Sequence, residues 1–181
     1  MIERTLVILK PDAVERSLIG AILARFEKVG LTIKAARLDT PSAETYDRHY
    51  QVDRLAPIIG LKSKEAGTDV GDDPTAYGRM VLGWNRDYMM SGPVLIMILE
   101  GENAIKRVRG IVGVTNPQNA APGTIRGDYG VDSIAKANKE QRGTANLVHA
   151  SDKPSNGDEF EEANYEINIW FPSAGLENTY A

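Results

Sequence analysis

The apolar positions of the chain fall into short runs with two different periods. "RTLVILK" (4–10) is almost continuously apolar, the pattern of a buried strand. After the Lys10-Pro11-Asp12 break, Ile19, Ile22, Leu23 and Phe26 keep helical spacing, with Ser17 predicted as N-cap and Gly30 as C-cap. "LTIKAARL" (31–38) roughly alternates apolar and polar residues and predicts a second strand, and "SAETYDRHY" (42–50) a short helix capped by Ser42. From Asp53 to Tyr88 the periodicity loosens. "KEAGTDVGDDPTAYG" has the Gly, Asp and Pro content of a surface loop, and "PTAYGRMVLGWNRDYMM" resumes a helix with proline in its first turn.

"GPVLIMILEG" (92–101) is the most apolar run and predicts the third strand, followed by a helix over "NAIKRVRGIVG". Residues 114–130 read as a long irregular loop, and "NLVHAS" as a brief fourth strand. Phe160, Ala163, Ile167, Trp170 and Phe171 mark one face of a last helix. This order predicts an α+β sandwich of the split βαβ kind, with too few strands for a doubly wound sheet and with helices on one sheet face.

Composition adds boundaries. The 181 residues, 42% hydrophobic and 25% charged, predict a single globular domain over 1–181. A net charge of -4 without a basic stripe gives no reason to expect nucleic acid as a partner. The absence of cysteine removes disulfides, thiolate metal sites and cysteine nucleophiles together. The start of the chain lacks the pattern of a signal peptide, and no apolar stretch has the length of a membrane span, so a cytoplasmic protein is expected.

Candidate chemistry gathers around "ANLVHASD", which holds one of only two histidines. A histidine at a strand end is most often a packing or surface residue. Here small Ala150 and Ser151 leave room to approach the ring, and a neutral imidazole is a competent nucleophile at pH 7. Lys10 ends a strand apolar enough to be central, so its ammonium should open on a cleft. Arg109 and Arg126 are the other basic candidates, surface charges when taken singly. Together with Lys10 they form the kind of cationic set that phosphoryl transfer needs. Thr115, Asn116, Gly123 and Thr124 bring hydroxyl, amide and unhindered backbone groups in one loop. Glu166 falls beside the apolar stripe of the last helix, placed either to hold an imidazole nitrogen or to remain a solvated acid.

Read together, "ERTLVILKPDAVERSLIGAILARFE", "SGPVLIMILEG", "VTNPQNAAPGTIRGDYG" and "NLVHASD" resemble the nucleoside diphosphate kinase family closely, in family order and over nearly the whole chain. The resemblance implies a ferredoxin-like βαββαβ sandwich with a four-stranded antiparallel sheet. It implies ping-pong transfer of a γ-phosphate from a nucleoside triphosphate such as ATP or GTP to a nucleoside diphosphate, through a phosphohistidine. By the same resemblance His149 matches the phosphorylated histidine and Asn146 the sugar-contacting asparagine. Lys10, Arg109, Thr115 and Arg126 match phosphate and ribose contacts, Tyr50 a tyrosine near the histidine, Glu166 the orienting carboxylate and Ser151 a neighbouring hydroxyl. Mg²⁺ is expected on the nucleotide phosphates, with no dedicated ligand cluster. A homo-oligomer, tetramer or hexamer, is implied as well.

The chain departs from the family pattern at Ala150, where glycine is usual, and in insertions near 54–88, 133–145 and 153–159, which read as loop or surface additions. No phenylalanine lies between Phe26 and Phe160 to stack on a base, leaving Ile58, Tyr77 and Trp84 as substitutes. Three functions compete on these grounds: an active kinase, a nucleotide-binding regulatory module without turnover, and a phosphohistidine relay to another protein.

Overall fold

The computed structural model describes residues 1–65, 68–152, 159–172 and 175. Strands β1 (Ile2–Leu9), β2 (Thr32–Asp39), β3 (Val94–Glu102) and β4 (Val148–Ala150) form one sheet in the order β2-β3-β1-β4. All three pairings are antiparallel. β1 is central, which explains its continuous apolar run. Leu6, Val7, Ile8 and Leu9 are each 0% exposed, so both faces of the strand are covered.

Both faces of the sheet carry a core, and this corrects the expected one-sided packing. On the first face Val7, Leu9, Met97 and Leu99 meet Ile22 and Phe26 of α2 (Ile19–Lys28) and Ala104 and Val108 of α6 (Ala104–Val112). On the second, Leu6, Ile8, Ile96 and Ile98 meet Tyr46 of α3 (Ala43–Tyr50), Met89 of α5 (Pro74–Met89), and Ile167 and Trp170 of α9 (Glu159–Trp170). Period two sorts each strand between these layers.

A short α1 (Pro11–Glu15) follows β1 directly, with proline in its first turn. Ser17 is not a helix cap: it adopts φ 56 in the α1–α2 link, and Leu18 precedes α2. Gly30, at φ 79, does end α2 as its spacing predicted. Ser42 caps α3 by accepting from Thr45 N at 3.1 Å.

The largest difference lies at 52–65, expected to be irregular and found as α4 (Val52–Glu65). Pro57 and Gly60 inside it hide the helix from its sequence pattern. Gly60 is there for close approach: a Cβ on it would lie 1.7 Å from the Pro74 carbonyl oxygen. Gly78 of α5 is constrained likewise, with a Cβ 1.9 Å from the Ala56 oxygen. The two helices thus pack backbone to backbone as a hairpin. The 114–130 loop contains a 3-10 turn (Pro117–Asn119) and α7 (Ile125–Tyr129), and the 133–145 segment contains α8 (Ile134–Lys139). Most of the expected 153–159 insertion, residues 153–158, lies outside the described residues. No described helix is long and apolar enough to cross a membrane.

Candidate active site

One cleft of about 770 Å³ gathers Lys10, Tyr50, Arg109, Thr115, Arg126, Asn146 and His149, seven of the nine predicted site residues. That volume suits a small-molecule ligand. Glu166 and Ser151 lie behind the wall, 4% and 0% exposed.

β4 delivers the histidine. Its register sets His149 opposite Ile8, on the sheet face covered by α3, α5 and α9. Val148 and Ala150 alternate to the other face and pack into the first core, and both also line the cleft beside His149. Just before β4 the chain makes a γ-turn: Val148 N donates to Asn146 O at 2.8 Å across Leu147, whose φ is 68. A leucine in that conformation is strained. Asp12 holds it there, accepting from Leu147 N at 3.2 Å on one oxygen and from the Tyr88 hydroxyl at 2.5 Å on the other. Lys10 N donates to Leu147 O at 2.8 Å and closes the clamp. Asp12 and Tyr88 carry no signal in the sequence beyond an acid in a first helical turn.

His149 Nε2 lies 3.0 Å from Glu166 Oε1, and Ser151 Oγ donates to Glu166 Oε2 at 2.5 Å. Burial alone would raise the carboxyl. The imidazoles of His149 and His49, with hydrogen bonds from His149 and Ser151, hold it ionised below the usual carboxylate range. The acceptor at Nε2 fixes the imidazole proton there and leaves Nδ1 for the cleft. Tyr50 stands beside it, ring centroids 6.1 Å apart, with burial pushing its hydroxyl up to about 12 and so keeping it a neutral donor.

Among the described residues five basic side chains line the cleft, Lys10, Lys62, Arg109, Arg126 and Arg142. Lys10 is pushed down to about 7, chiefly by burial and then by Arg126. Arg126 spends Nε on Asn146 O at 3.0 Å, Nη1 on Gly113 O at 2.8 Å and Nη2 on Val148 O at 2.5 Å. It therefore braces the β4 entry as well as charging the cleft, and two of its five N–H donors remain. Arg109 pairs with Asp152 at 2.5 Å. Asn146 donates to Thr115 O at 3.0 Å, while its buried Oδ1 has no partner among the described residues. Of the loop candidates only Thr115 lines the cleft. Asn116 accepts from Ile134 N, Gly123 N donates to Asp128, and Thr124 caps α7, so these three hold the loop together.

Ile58, Tyr77 and Trp84 do not line the cleft, which corrects their candidacy as base-stacking groups. Tyr77 and Trp84 instead meet edge to face, centroids 6.2 Å apart. The apolar wall includes Leu55 and Ile59 of α4, Val81 of α5, Val114 and Ile134. The 133–145 segment is part of that wall, through Ile134, Asn138, Arg142, Gly143 and Thr144.

Like Asp12 and Tyr88, His49 was missed by sequence reading. It stands 4% exposed on the same α3 face as Tyr46 and Tyr50, and that i, i+3, i+4 spacing was the available signal. His49, His149 and Glu166 hold donor atoms within 4.8 Å of one another, a spacing compatible with a metal. The hydrogen bonds argue otherwise, because Trp170 Nε1 donates to His49 Nδ1 at 3.1 Å and so puts that ring's proton on Nε2. For a hard divalent cation the cleft offers one carboxylate among its described lining residues, Asp152. That donor set suits an ion brought in on phosphates and bound mostly by them.

The nucleoside diphosphate kinase family model matches residues 3–60 and 77–176. The nucleoside diphosphate kinase of Pyrobaculum aerophilum is 44% identical over 180 residues, spanning 94% of this chain and 95% of that protein. A crystal structure of an NDP kinase from the same organism aligns with a TM-score of 0.87 at 41% identity, over 98% of this chain and 100% of the other. The Borrelia burgdorferi nucleoside-diphosphate kinase, solved as a transition-state mimic with bound vanadate and ADP, gives 0.78 at 30% identity over 99% and 93%. The Halobacterium salinarum nucleoside diphosphate kinase in complex with CDP gives 0.69 at 31% identity over 100% and 95%.

Proposed function

Since this chain belongs to the nucleoside diphosphate kinase family, we propose that its cleft moves a γ-phosphate from a nucleoside triphosphate to a nucleoside diphosphate with His149 Nδ1 as the way-station. The observation that carries the assignment is the pairing of His149 Nε2 with buried Glu166, which leaves Nδ1 as the nitrogen facing the cations. The neutral ring attacks the γ-phosphorus through the Nδ1 lone pair. The bond from phosphorus to the β,γ-bridging oxygen breaks, and its electrons leave with the diphosphate. No proton need move at the ring, because the one on Nε2 stays. The product is a phosphoimidazolium whose positive charge faces the Glu166 carboxylate. A second diphosphate then collects the phosphoryl group by the reverse step, so one site serves donor and acceptor in turn.

Lys10, Arg109 and Arg126 stabilise the transferring oxygens, with Thr115 and the Tyr50 hydroxyl as neutral donors. The unpaired Asn146 Oδ1 is an acceptor suited to a sugar hydroxyl. A Mg²⁺ ion brought in on the nucleotide phosphates would neutralise part of their charge, and Asp152 is the cleft carboxylate that would be offered to it. We also propose a single functional domain, a cytoplasmic setting and a homo-oligomer, tetramer or hexamer, whose mass in solution is directly measurable. Incubation with γ-labelled ATP should yield an acid-labile, alkali-stable phosphoenzyme that CDP discharges as CTP. A chain that takes up no label, or a His149→Ala variant with undiminished turnover, would exclude this function.

A further inference from the structure

The second histidine takes no part in that scheme, yet it lies against the first. The rings of His49 and His149 meet edge to face, centroids 4.5 Å apart at 78°. An indole N–H can only donate, so Trp170 Nε1, 3.1 Å from His49 Nδ1, fixes the neutral His49 ring with its proton on Nε2. That Nε2 is 3.8 Å from Glu166 Oε1, the same oxygen that holds His149. The distance is too long for a hydrogen bond. In a buried setting the N–H dipole still acts on the carboxylate. Trp170 and Glu166 are four residues apart on α9, so one helix face presents both partners to α3.

From this geometry we propose that His49 is a positioning residue for phosphoryl transfer, holding Glu166 and the His149 ring so that Nδ1 points into the cleft. The inference rests on His149 carrying the phosphoryl group. Two features give His49 this role. Its ring meets the His149 ring edge to face, and that contact blocks the rotation that would exchange the two nitrogens. Its Nε2–H supplies a second, weaker attraction on Glu166 Oε1, so the carboxylate is held from two sides. The groups facing it are Glu166 from α9, His149 from β4 and Lys10 from the end of β1, with Tyr50 beside it on its own helix. Burial outweighs Glu166, the one of these that favours a charged ring, and with His149 and Lys10 acting in the same direction as burial pushes His49 down to about 3. It therefore remains neutral and does not draw Glu166 away from His149 as a competing cation.

Two imidazoles account for every histidine signal of the chain, which makes ¹⁵N-histidine NMR the direct test. His49 should show a protonated Nε2, a bare Nδ1 and no titration between pH 5 and 8. His49→Asn keeps an acceptor for Trp170 but loses the N–H toward Glu166. In it, the rate of phosphoenzyme formation from ATP should fall roughly 10–100-fold, as for the loss of other supporting contacts to a reactive imidazole. The nucleotide KM should stay within about twofold, because His49 touches no nucleotide. The His149 signals should shift to mixed tautomers. His49→Gln, which restores an N–H near the Nε2 position, should recover part of the rate. Trp170→Phe, which releases the His49 tautomer, should slow transfer in the same direction and stands in if His49→Asn does not fold. An Nδ1-protonated or normally titrating His49, or folded variants that react at the wild-type rate, would overturn the inference alone. A wild-type chain that forms no phosphoenzyme would overturn the kinase function beneath it as well.

Discussion

The two ends of the cleft are built on opposite principles. At the sheet end, Glu166, Ser151, His49 and Trp170 are nearly fully buried, and their polar atoms hold one another at fixed distances around His149. At the far end α4, α5 and α8 present aliphatic side chains with exposed polar groups between them. A displacement of one ångström matters at the first end, where a lone pair must meet phosphorus in line. At the second it matters little, since an apolar wall accepts any flat surface of similar size. The proposed chemistry sits at the sheet end, and the aliphatic wall on helices α4, α5 and α8.

That contrast breaks most visibly at His149. His149→Gln should lose at least about 10³-fold in turnover and all phosphoenzyme while leaving nucleotide affinity in place. Calorimetric binding beside a label-incorporation assay measures both. Loss of binding together with turnover would mean the two ends are not separable. Glu166→Gln keeps the shape and removes the charge that faces the phosphoimidazolium. A drop of roughly 10–100-fold in kcat with little change in KM is expected, read by steady-state kinetics.

The sheet end also sets the response to pH. His49 holds its proton only below about 3 in the folded chain, against an ordinary 6.5 when unfolded. As pH falls below 6.5 the unfolded chain binds a proton that the folded chain refuses. Stability is then lost at up to about 1.4 kcal/mol per pH unit until pH reaches about 3. Glu166, lowered in the folded state, adds loss in the same direction below its ordinary value of 4.5. Denaturant titrations at several pH values should show the slope, and His49→Asn should flatten it between pH 6.5 and 4.5. Lys10 works in the opposite range. Pushed down to about 7, it is mostly neutral at pH 8 until phosphates arrive and favour its charge. Nucleotide binding at pH 8 should therefore take up as much as about one proton, seen by calorimetry in buffers of different ionisation enthalpy. The uptake should vanish in Lys10→Gln.

The same divide decides what the sequence could tell. The buried strands announce themselves, because a run such as Leu6–Leu9 has no other use than the middle of a covered sheet. Its continuity also contained the second core layer, which the one-sided expectation overlooked. Lys10 and His149 were readable because each charged or polar group ends a short apolar run, whereas Asn146 entered only through the family resemblance. His49 was not readable, since a histidine on an amphipathic helix looks like any polar residue until Trp170 and Glu166 are seen across from it. Asp12 was hidden in the same way: its task is to hold Leu147, 135 positions along the chain. At the far end α4 was illegible for a different reason. Pro57 and Gly60 are poor helix formers, and Gly60 is required by the close packing against Pro74 of α5, a requirement that exists only in three dimensions.

The smallest effect belongs to the aliphatic wall, and it tests the contrast most finely. Leu55→Ala and Ile59→Ala each remove a few partly buried methyl and methylene groups from the far end. At about 0.8 kcal/mol per buried CH₂, partial burial predicts a rise in KM of roughly three- to tenfold for each. The kcat should stay within about twofold, because neither side chain reaches the phosphoryl group. An apolar wall has no donor or acceptor with which to tell one base edge from another. The rise should therefore be the same, within about twofold, for adenine, guanine, cytosine and uracil diphosphates. Steady-state kinetics with the four acceptors measures it. A rise confined to one base would mean that a polar neighbour, Asn138 or Thr144 of the 133–145 segment, reads the base edge through the geometry these aliphatic residues maintain. A fall in kcat would mean that the far end also positions the phosphates, and the cleft would then have to be understood as one unit.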